Sequence, residues 1–192
     1  MNQPFNTNGG IHEIPLPSGT GRLWLCGKHF IGPKVEQVIT DFDIQHVVCL
    51  VEEHELVGRY DNYIQWHRDN ANNGGIWFAM PDLSYPDFDD CFEKVNGLAE
   101  LVRDQGNMLV HCAAGIGRAG TTATAILMIL GMDEEEATHH VRLHRPMAGP
   151  EAGTQRNFIT DLGRYLMDQP IWMYWSPWAL RQPIPTAFTC GS

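Results

Sequence analysis

The sequence predicts an α/β domain with a mainly parallel central sheet of about four to five strands and helices on both faces. Two observations carry this. Short, nearly continuous apolar runs, such as IQHVVCLV at 44–51 and MLVH at 108–111, read as strands covered on both faces. Segments with helical spacing alternate with them, most clearly Phe88, Phe92, Val95, Leu98, Ala99 and Val102. With 192 residues, 43% of them hydrophobic, the chain can bury one core of ordinary size, which excludes wholesale disorder.

The elements follow in order. Residues 1–20 are rich in Asn, Gly and Pro and read as a loose lead-in. RLWLC at 22–26 is a strand closed by Gly27, and Pro33 sits at the start of a helix carrying Val35, Val38 and Ile39. The strand at 44–51 gives way to a polar, patternless stretch as far as Asn70. After the turn at Asn72–Gly75 comes a third strand, IWFAM at 76–80, ended by Pro81 and a loop, DLSYP. The long amphipathic helix then leads to the fourth strand at 108–111, followed directly by CAAGIGRAG and an apolar helix at 121–130. Asp133 caps another helix whose first turn is Glu134, Glu135 and Glu136, ending near Arg145 and Pro146. A last helix covers 153–167. Residues 21–168 thus form the domain, and 169–192 a tail rich in Trp and Pro, with Trp172, Trp175 and Trp178.

Charge and cysteine usage narrow the function. Thirteen basic residues against 23 acidic ones give a net charge of −10. A sequence-independent nucleic-acid binder needs a basic surface, as does attraction to anionic lipid, so neither nucleic acid nor membrane is expected as partner. The polar N-terminus lacks the basic-then-apolar pattern of a secretory leader. Five scattered cysteines, at 26, 49, 91, 112 and 190, form no CxxC pair, and a reducing cytoplasm is expected.

The segment that carries chemistry is His111–Gly120, HCAAGIGRAG. A cysteine ends a buried strand, a short loop holds two glycines, and an arginine opens a helix. The loop N–H groups can converge on a tetrahedral oxyanion, and the helix N-terminus adds positive potential. Arg118 can return across the loop and grip two phosphate oxygens. A thiolate held beside a bound phosphate can attack phosphorus.

HCAAGIGRAG resembles the HCxxGxxR[S/T]G signature of the cysteine-dependent protein tyrosine and dual-specificity phosphatases, and especially the small dual-specificity members such as the kinase-associated phosphatase group. That resemblance runs from about Arg22 to Leu166. It implies a phosphate-binding loop between a strand and a helix, no metal and no cofactor. It makes Cys112 the nucleophile and Arg118 the phosphate-gripping residue, with oxygens also bound by the N–H groups of Ala113, Ala114, Gly115, Ile116 and Gly117. The family's general acid is an Asp about thirty residues before the cysteine. Asp82, in FAMPDLSYPD, stands thirty residues before Cys112, with Asp87, Asp89 and Asp90 as nearby rivals. His111 is expected to orient the loop from behind.

The implied activity is hydrolysis of phosphotyrosine, and next of phosphoserine or phosphothreonine, through a phosphocysteine intermediate. The partner is then a phosphorylated protein or a small phosphomonoester. Phosphoinositide enzymes of the superfamily often place lysines in the loop, where this chain has Ala113, Ala114 and Ile116. One position departs from the signature: Ala119 replaces the hydroxyl residue that eases departure of the cysteine. A slow enzyme is expected, with two alternatives, a non-enzymatic phosphoprotein-binding module and a small-molecule phosphatase. Outside the loop, Gln155 in AGTQRNFI stands where related phosphatases carry a Gln followed three residues later by Phe. That resemblance implies a residue that positions water, while the residues themselves read as helix-surface polarity, the favoured account. His139, His140, Arg142, His144 and Arg145 read as a solvated helix end or a rim that recruits an acidic substrate.

Overall fold

The computed structural model describes residues 10–151 and 153–168. Its sheet has five strands, β1 (His12–Ile14), β2 (Leu23–Gly27), β3 (Ile44–Cys49), β4 (Gly75–Trp77) and β5 (Asn107–Cys112), in the order β1-β2-β5-β3-β4. Strands β2, β5, β3 and β4 are parallel, and β1 pairs antiparallel with β2 at the edge. Every residue of β2 is buried, as are Met108 to Cys112 of β5, so both faces of the sheet centre are covered. That is why these runs lack alternation.

Among the described residues, seven helices surround the sheet. The short α1 (Lys28–Ile31), α2 (Val35–Phe42) and α3 (Asp61–Asp69) pack against β2, β3 and β4 respectively. The helices α4 (Phe88–Asp104), α5 (Gly117–Ile129), α6 (Glu134–His144) and α7 (Thr154–Asp168) pack on one another, with α5 at the centre. Helix α5 is buried from Gly117 to Met128. This explains why its sequence is apolar all round rather than on one stripe. Asp133 caps α6 as expected, its carboxylate accepting from the Glu136 N–H at 2.8 Å. Among the described residues no helix is long and apolar enough to cross a membrane.

Several elements differ from the sequence-based expectation. The stretch read as a loose lead-in contains β1, which a three-residue apolar pattern cannot announce; only pairing with β2 defines it. The patternless segment before Asn70 contains α3 and a short 3₁₀ turn at Glu53–Glu55. Helix α3 buries Tyr63, Ile64 and His67, a face half polar by composition and therefore invisible to a hydrophobic count. The third strand stops at Trp77, although Phe78 and Met80 N–H groups still bond the carbonyls of Cys49 and Leu50. Helix α5 begins at Gly117, four residues before the apolar run, so Arg118 lies in its first turn. The Trp-rich tail lies outside the described residues.

Candidate active site

Strand β5 delivers Cys112 to the C-terminal end of the sheet, where β2 and β3 flank it. The loop that follows is shaped by its carbonyls. The His111 carbonyl accepts from Leu50 N–H at 3.0 Å and the Ala113 carbonyl from Lys28 N–H at 3.2 Å. Those of Ala114 and Gly115 accept from the guanidinium of Arg145. With these carbonyls turned outward, the intervening N–H groups face the concavity, the arrangement that binds anions. The Gly115 N–H already donates to Cys112 Sγ at 3.2 Å. Gly115 sits at φ +73°, and a Cβ there would collide with the Cys26 carbonyl, so both conformation and space demand glycine.

Arg118 returns across the loop as expected, with only 1% of it exposed. Its Nη1 donates to Glu55 Oε1 at 2.7 Å and to the Met80 carbonyl at 2.9 Å; its Nη2 donates to Glu55 Oε2 at 3.1 Å. The end of the guanidinium is thereby fixed, and Nε with the second Nη2 hydrogen forms the edge left for two oxygens. Burial works against the Arg118 charge, but Glu55 and the neighbouring charges of Cys112 and Asp82 more than offset it and raise its pKa. Burial would likewise raise the Glu55 pKa, yet the Arg118 hydrogen bonds and charge outweigh it and hold Glu55 low. Lys28 adds a third member, its Nζ donating to the Glu55 carbonyl at 3.0 Å with Oε2 at 3.4 Å.

Asp82 lies on the loop before α4 with its Oδ1 3.0 Å from Arg118 Nη2. Its side chain is 65% exposed. The rivals stand apart, Asp87 at the N-cap position of α4 and Asp89 and Asp90 in its first turn. Leu83, next to Asp82, has φ +56° and is exposed.

Behind the loop, His111 is fully buried; its Nε2 meets the Tyr63 hydroxyl at 2.5 Å, and its Nδ1 lies 3.4 Å from the Cys112 carbonyl. The same hydroxyl meets His67 Nε2 at 2.8 Å. A carbonyl only accepts, so the Nδ1 of His111 carries the proton and its Nε2 accepts from Tyr63. Tyr63 in turn accepts from His67 Nε2–H, which leaves His67 Nδ1 a bare lone pair without a partner in the protein. Burial drives the His67 pKa down to about 4 and that of His111 to about 3, so both rings are neutral at physiological pH. The donor atoms of Cys49, His67 and His111 lie within 4.8 Å of one another. Tyr63 already occupies the Nε2 of both imidazoles, and burial pushes the Cys49 thiol up to about 12, so the trio is a poor metal-binding set as it stands.

Two expectations are corrected. Gln155 is not surface polarity: it is 1% exposed, its Oε1 accepting from Glu151 N–H at 3.0 Å and from the Thr121 hydroxyl at 3.2 Å. Its Nε2 has no hydrogen-bond partner in the protein and lies beside Gly117 of the loop. Arg145 is not part of a solvated helix end; it is 5% exposed and grips the loop from behind. Sequence reasoning missed Glu55, Lys28, Tyr63 and His67. Only Glu55 left a signal, because Glu52 and Glu55 form a reciprocal capping box at 52–55.

Comparison with known proteins bears on this geometry. Residues 33–158 match the family described as PTP-SAK, Swiss Army Knife protein, DSP-PTPase phosphatase domain. The dual specificity protein phosphatase 1 of Arabidopsis thaliana is 40% identical over 76 residues, 39% of this chain and 36% of that protein. The tyrosine-protein phosphatase yvh1 of Schizosaccharomyces pombe is 34% identical over 92 residues, 47% of this chain and 27% of that one. The matched segments thus span roughly a third of these relatives. The Tk-PTP structure in its active form superposes with a TM-score of 0.59 at 27% identity, covering 77% of this chain and 93% of that one. Kinase associated phosphatase, with serine substituted for its catalytic site cysteine, shares the fold at a TM-score of 0.66 and 20% identity, over 85% and 99% of the two chains. With a Gly-containing loop following a strand-end cysteine and a family match over residues 33–158, the chain belongs to the DSP-PTPase phosphatase domain family of the PTP-SAK type.

Proposed function

We propose that this chain is a cysteine-dependent phosphatase that hydrolyses phosphotyrosine, and also phosphoserine and phosphothreonine, through a phosphocysteine intermediate. One observation carries the reading: Cys112 Sγ, the guanidinium of Arg118 and the carboxylate of Asp82 converge on one loop whose carbonyls are all tied outward. The phosphoryl group enters between the loop amides of Ala113–Arg118 and the free edge of Arg118, displacing Asp82 from Nη2. Cys112 attacks phosphorus, the P–O bond to the leaving group breaks, and Asp82 protonates the departing oxygen. In the second step Asp82 takes a proton from water, which attacks phosphorus and expels the Cys112 thiolate. The amides and Arg118 stabilise the equatorial oxygens in both steps.

His111 fixes the Cys112 carbonyl, and with it the start of the loop. Gln155 is placed to orient the attacking water, since its unpartnered Nε2 is a buried donor beside Gly117. The absence of basic side chains at Ala113, Ala114 and Ile116 favours a single phosphate over a polyphosphorylated inositol ring. The scattered cysteines fit a reducing, cytoplasmic setting, and the net charge of −10 favours phosphoproteins or small phosphomonoesters as partners over nucleic acid or an anionic membrane.

The test is hydrolysis of p-nitrophenyl phosphate, with Cys112→Ser as control. Activity in the parent and none in the variant supports the reading. The slow-module alternative rests on Ala119; tight phosphopeptide binding without hydrolysis would establish it. Asp82→Asn is expected to lose most rate on substrates with poor leaving groups, and equal losses on all substrates would place the acid elsewhere.

A further inference from the structure

Arg145 is a buried cation without a counter-charge. It is 5% exposed, and among the described residues every partner it has is neutral. The guanidinium plane is used on two sides. Nε and Nη2, which form one edge, donate to the carbonyls of Gly115 and Ala114, the latter at 2.8 Å. Nη1 points the other way, toward the Gly10 carbonyl at 2.6 Å, His12 Nδ1 at 3.0 Å and the Leu25 carbonyl at 3.4 Å. An isolated buried charge is costly even after the protein relaxes around it. Hydrogen bonds to carbonyls satisfy the donors, but they do not neutralise the charge.

We infer that Arg145 is the second cation of the phosphate site, acting through the loop from behind, and that the N-terminal strand is the brace that holds it there. This rests on the phosphatase reading for its ligand, an oxyanion in the loop. The anion that completes the charge balance is the bound phosphate, with the Cys112 thiolate beneath it. Burial lowers the Arg145 pKa, while its interaction with Cys112 opposes that shift, so the field connects the two groups. The fork also explains the loop's shape. By drawing two successive carbonyls backward, Arg145 turns the following amides toward the phosphate. A lysine at 145 would keep the charge but could not reach both carbonyls and the strand together.

His12 has a defined part. Its Nδ1 must accept from Nη1, so the ring is the Nε2–H tautomer and neutral. The lowered His12 pKa, from burial first and Arg145 second, fits that state. Residues 10–14 are therefore continuous with the active site, although β1 is an edge strand three residues long.

Arg145 is a positioning residue, and the test separates its charge from its packing. Tungstate, a tetrahedral oxyanion, is titrated calorimetrically into the parent, Arg145→Lys, Arg145→Met, His12→Ala and His12→Asn, each checked for folding by circular dichroism. The KM and kcat for p-nitrophenyl phosphate are measured alongside. Arg145→Met is expected to weaken tungstate binding and raise KM at least tenfold, and Arg145→Lys to recover part of that loss. Where an Arg145 variant does not fold, the His12 pair decides. His12→Ala is expected to weaken tungstate binding about threefold, and His12→Asn, whose amide oxygen stands where Nδ1 was, to restore it. Folded Arg145→Met or His12→Ala binding tungstate as the parent does would overturn the inference, and so would Asn behaving like Ala. Tungstate binding needs no turnover, so a parent that binds but does not hydrolyse refutes the phosphatase reading and leaves this test intact.

Discussion

Glu55 holds the Arg118 guanidinium by both carboxylate oxygens, at 2.7 and 3.1 Å, with the Glu55 side chain itself only 12% exposed. The pairing freezes the rotation of a long side chain and leaves its Nε–Nη2 edge facing the loop, where the exposed Asp82 carboxylate stands 3.0 Å from Nη2. A phosphate that binds there meets a donor set already in place, so little ordering entropy is lost on binding. Glu55→Gln keeps the shape and removes the charge. Its kcat/KM on an aryl phosphate is expected to fall ten- to a hundredfold, mostly through KM. Glu55→Ala, which strands a buried guanidinium, is expected to cost about 3 kcal/mol in urea unfolding. Unchanged kinetics in Glu55→Gln would mean that the Met80 and Leu50 carbonyls suffice to place Arg118.

Ala119 is fully buried, and neither neighbouring threonine replaces the missing hydroxyl. The one Thr121 hydroxyl proton is shared between the Gly117 carbonyl at 2.8 Å and Gln155 Oε1 at 3.2 Å, and Thr122 donates to the Arg118 carbonyl. Within the described residues only the Gly115 N–H donates to Cys112 Sγ. Breakdown of the phosphocysteine is therefore expected to limit turnover, giving a burst of aryl alcohol followed by a slow steady state. Ala119→Ser is expected to speed the slow phase about tenfold, in line with one hydrogen bond to a charged group. Equal steady-state rates would show that departure of the thiolate is not the slow step.

Tyr63 satisfies two imidazoles with one hydroxyl. Tyr63→Phe leaves His111 Nε2 and the His67 Nε2–H without partners in a dry interior, at an expected cost of about 2–4 kcal/mol. Because His111 then loses its fixed tautomer, kcat is expected to fall as well. Nitrogen NMR of the parent is expected to show His111 protonated at Nδ1 and His67 at Nε2. The opposite assignment would remove the basis for the chain of bonds.

Acid should destabilise the fold earlier than its carboxylates require. Unfolding returns His67 and His111 to the ordinary value near 6.5, from about 4 and about 3 in the folded chain. Well above pH 6.5 neither state is protonated and these histidines contribute no pH dependence. Below it the unfolded chain binds protons that the folded chain refuses, so stability falls with acidification. The slope is about 1.4 kcal/mol per pH unit for each ring. Urea midpoints measured from pH 7.5 to 5 are expected to drop steadily below the histidine value. A flat profile over that range would mean that the two rings are solvated in the folded state.

The strands at the sheet centre were legible because a surface buried on both faces requires an unbroken apolar run. Helix α3 was not, because its inward residues include Tyr63 and His67, whose hydroxyl and Nε2 find partners only in each other and in His111. Gln155 and Arg145 were seen in sequence and misread for a related reason. A polar residue on a helix is usually solvated, and what buries these two lies thirty or more residues away, at Thr121 and at Gly115.

By itself the sequence determined what short-range chemistry dictates. A loop of ten residues, HCAAGIGRAG, specifies its own turn, its own helix start and the return of Arg118, and the spacing to Asp82 follows from one strand–loop–helix unit. The tertiary structure decided which groups stand behind that loop. Glu55 and Lys28 set Arg118, Tyr63 and His67 set His111, and β1 with Arg145 sets the carbonyls of Ala114 and Gly115. These partners come from separate elements, and their polarity makes sense only where the fold removes water and leaves each buried donor dependent on a particular acceptor.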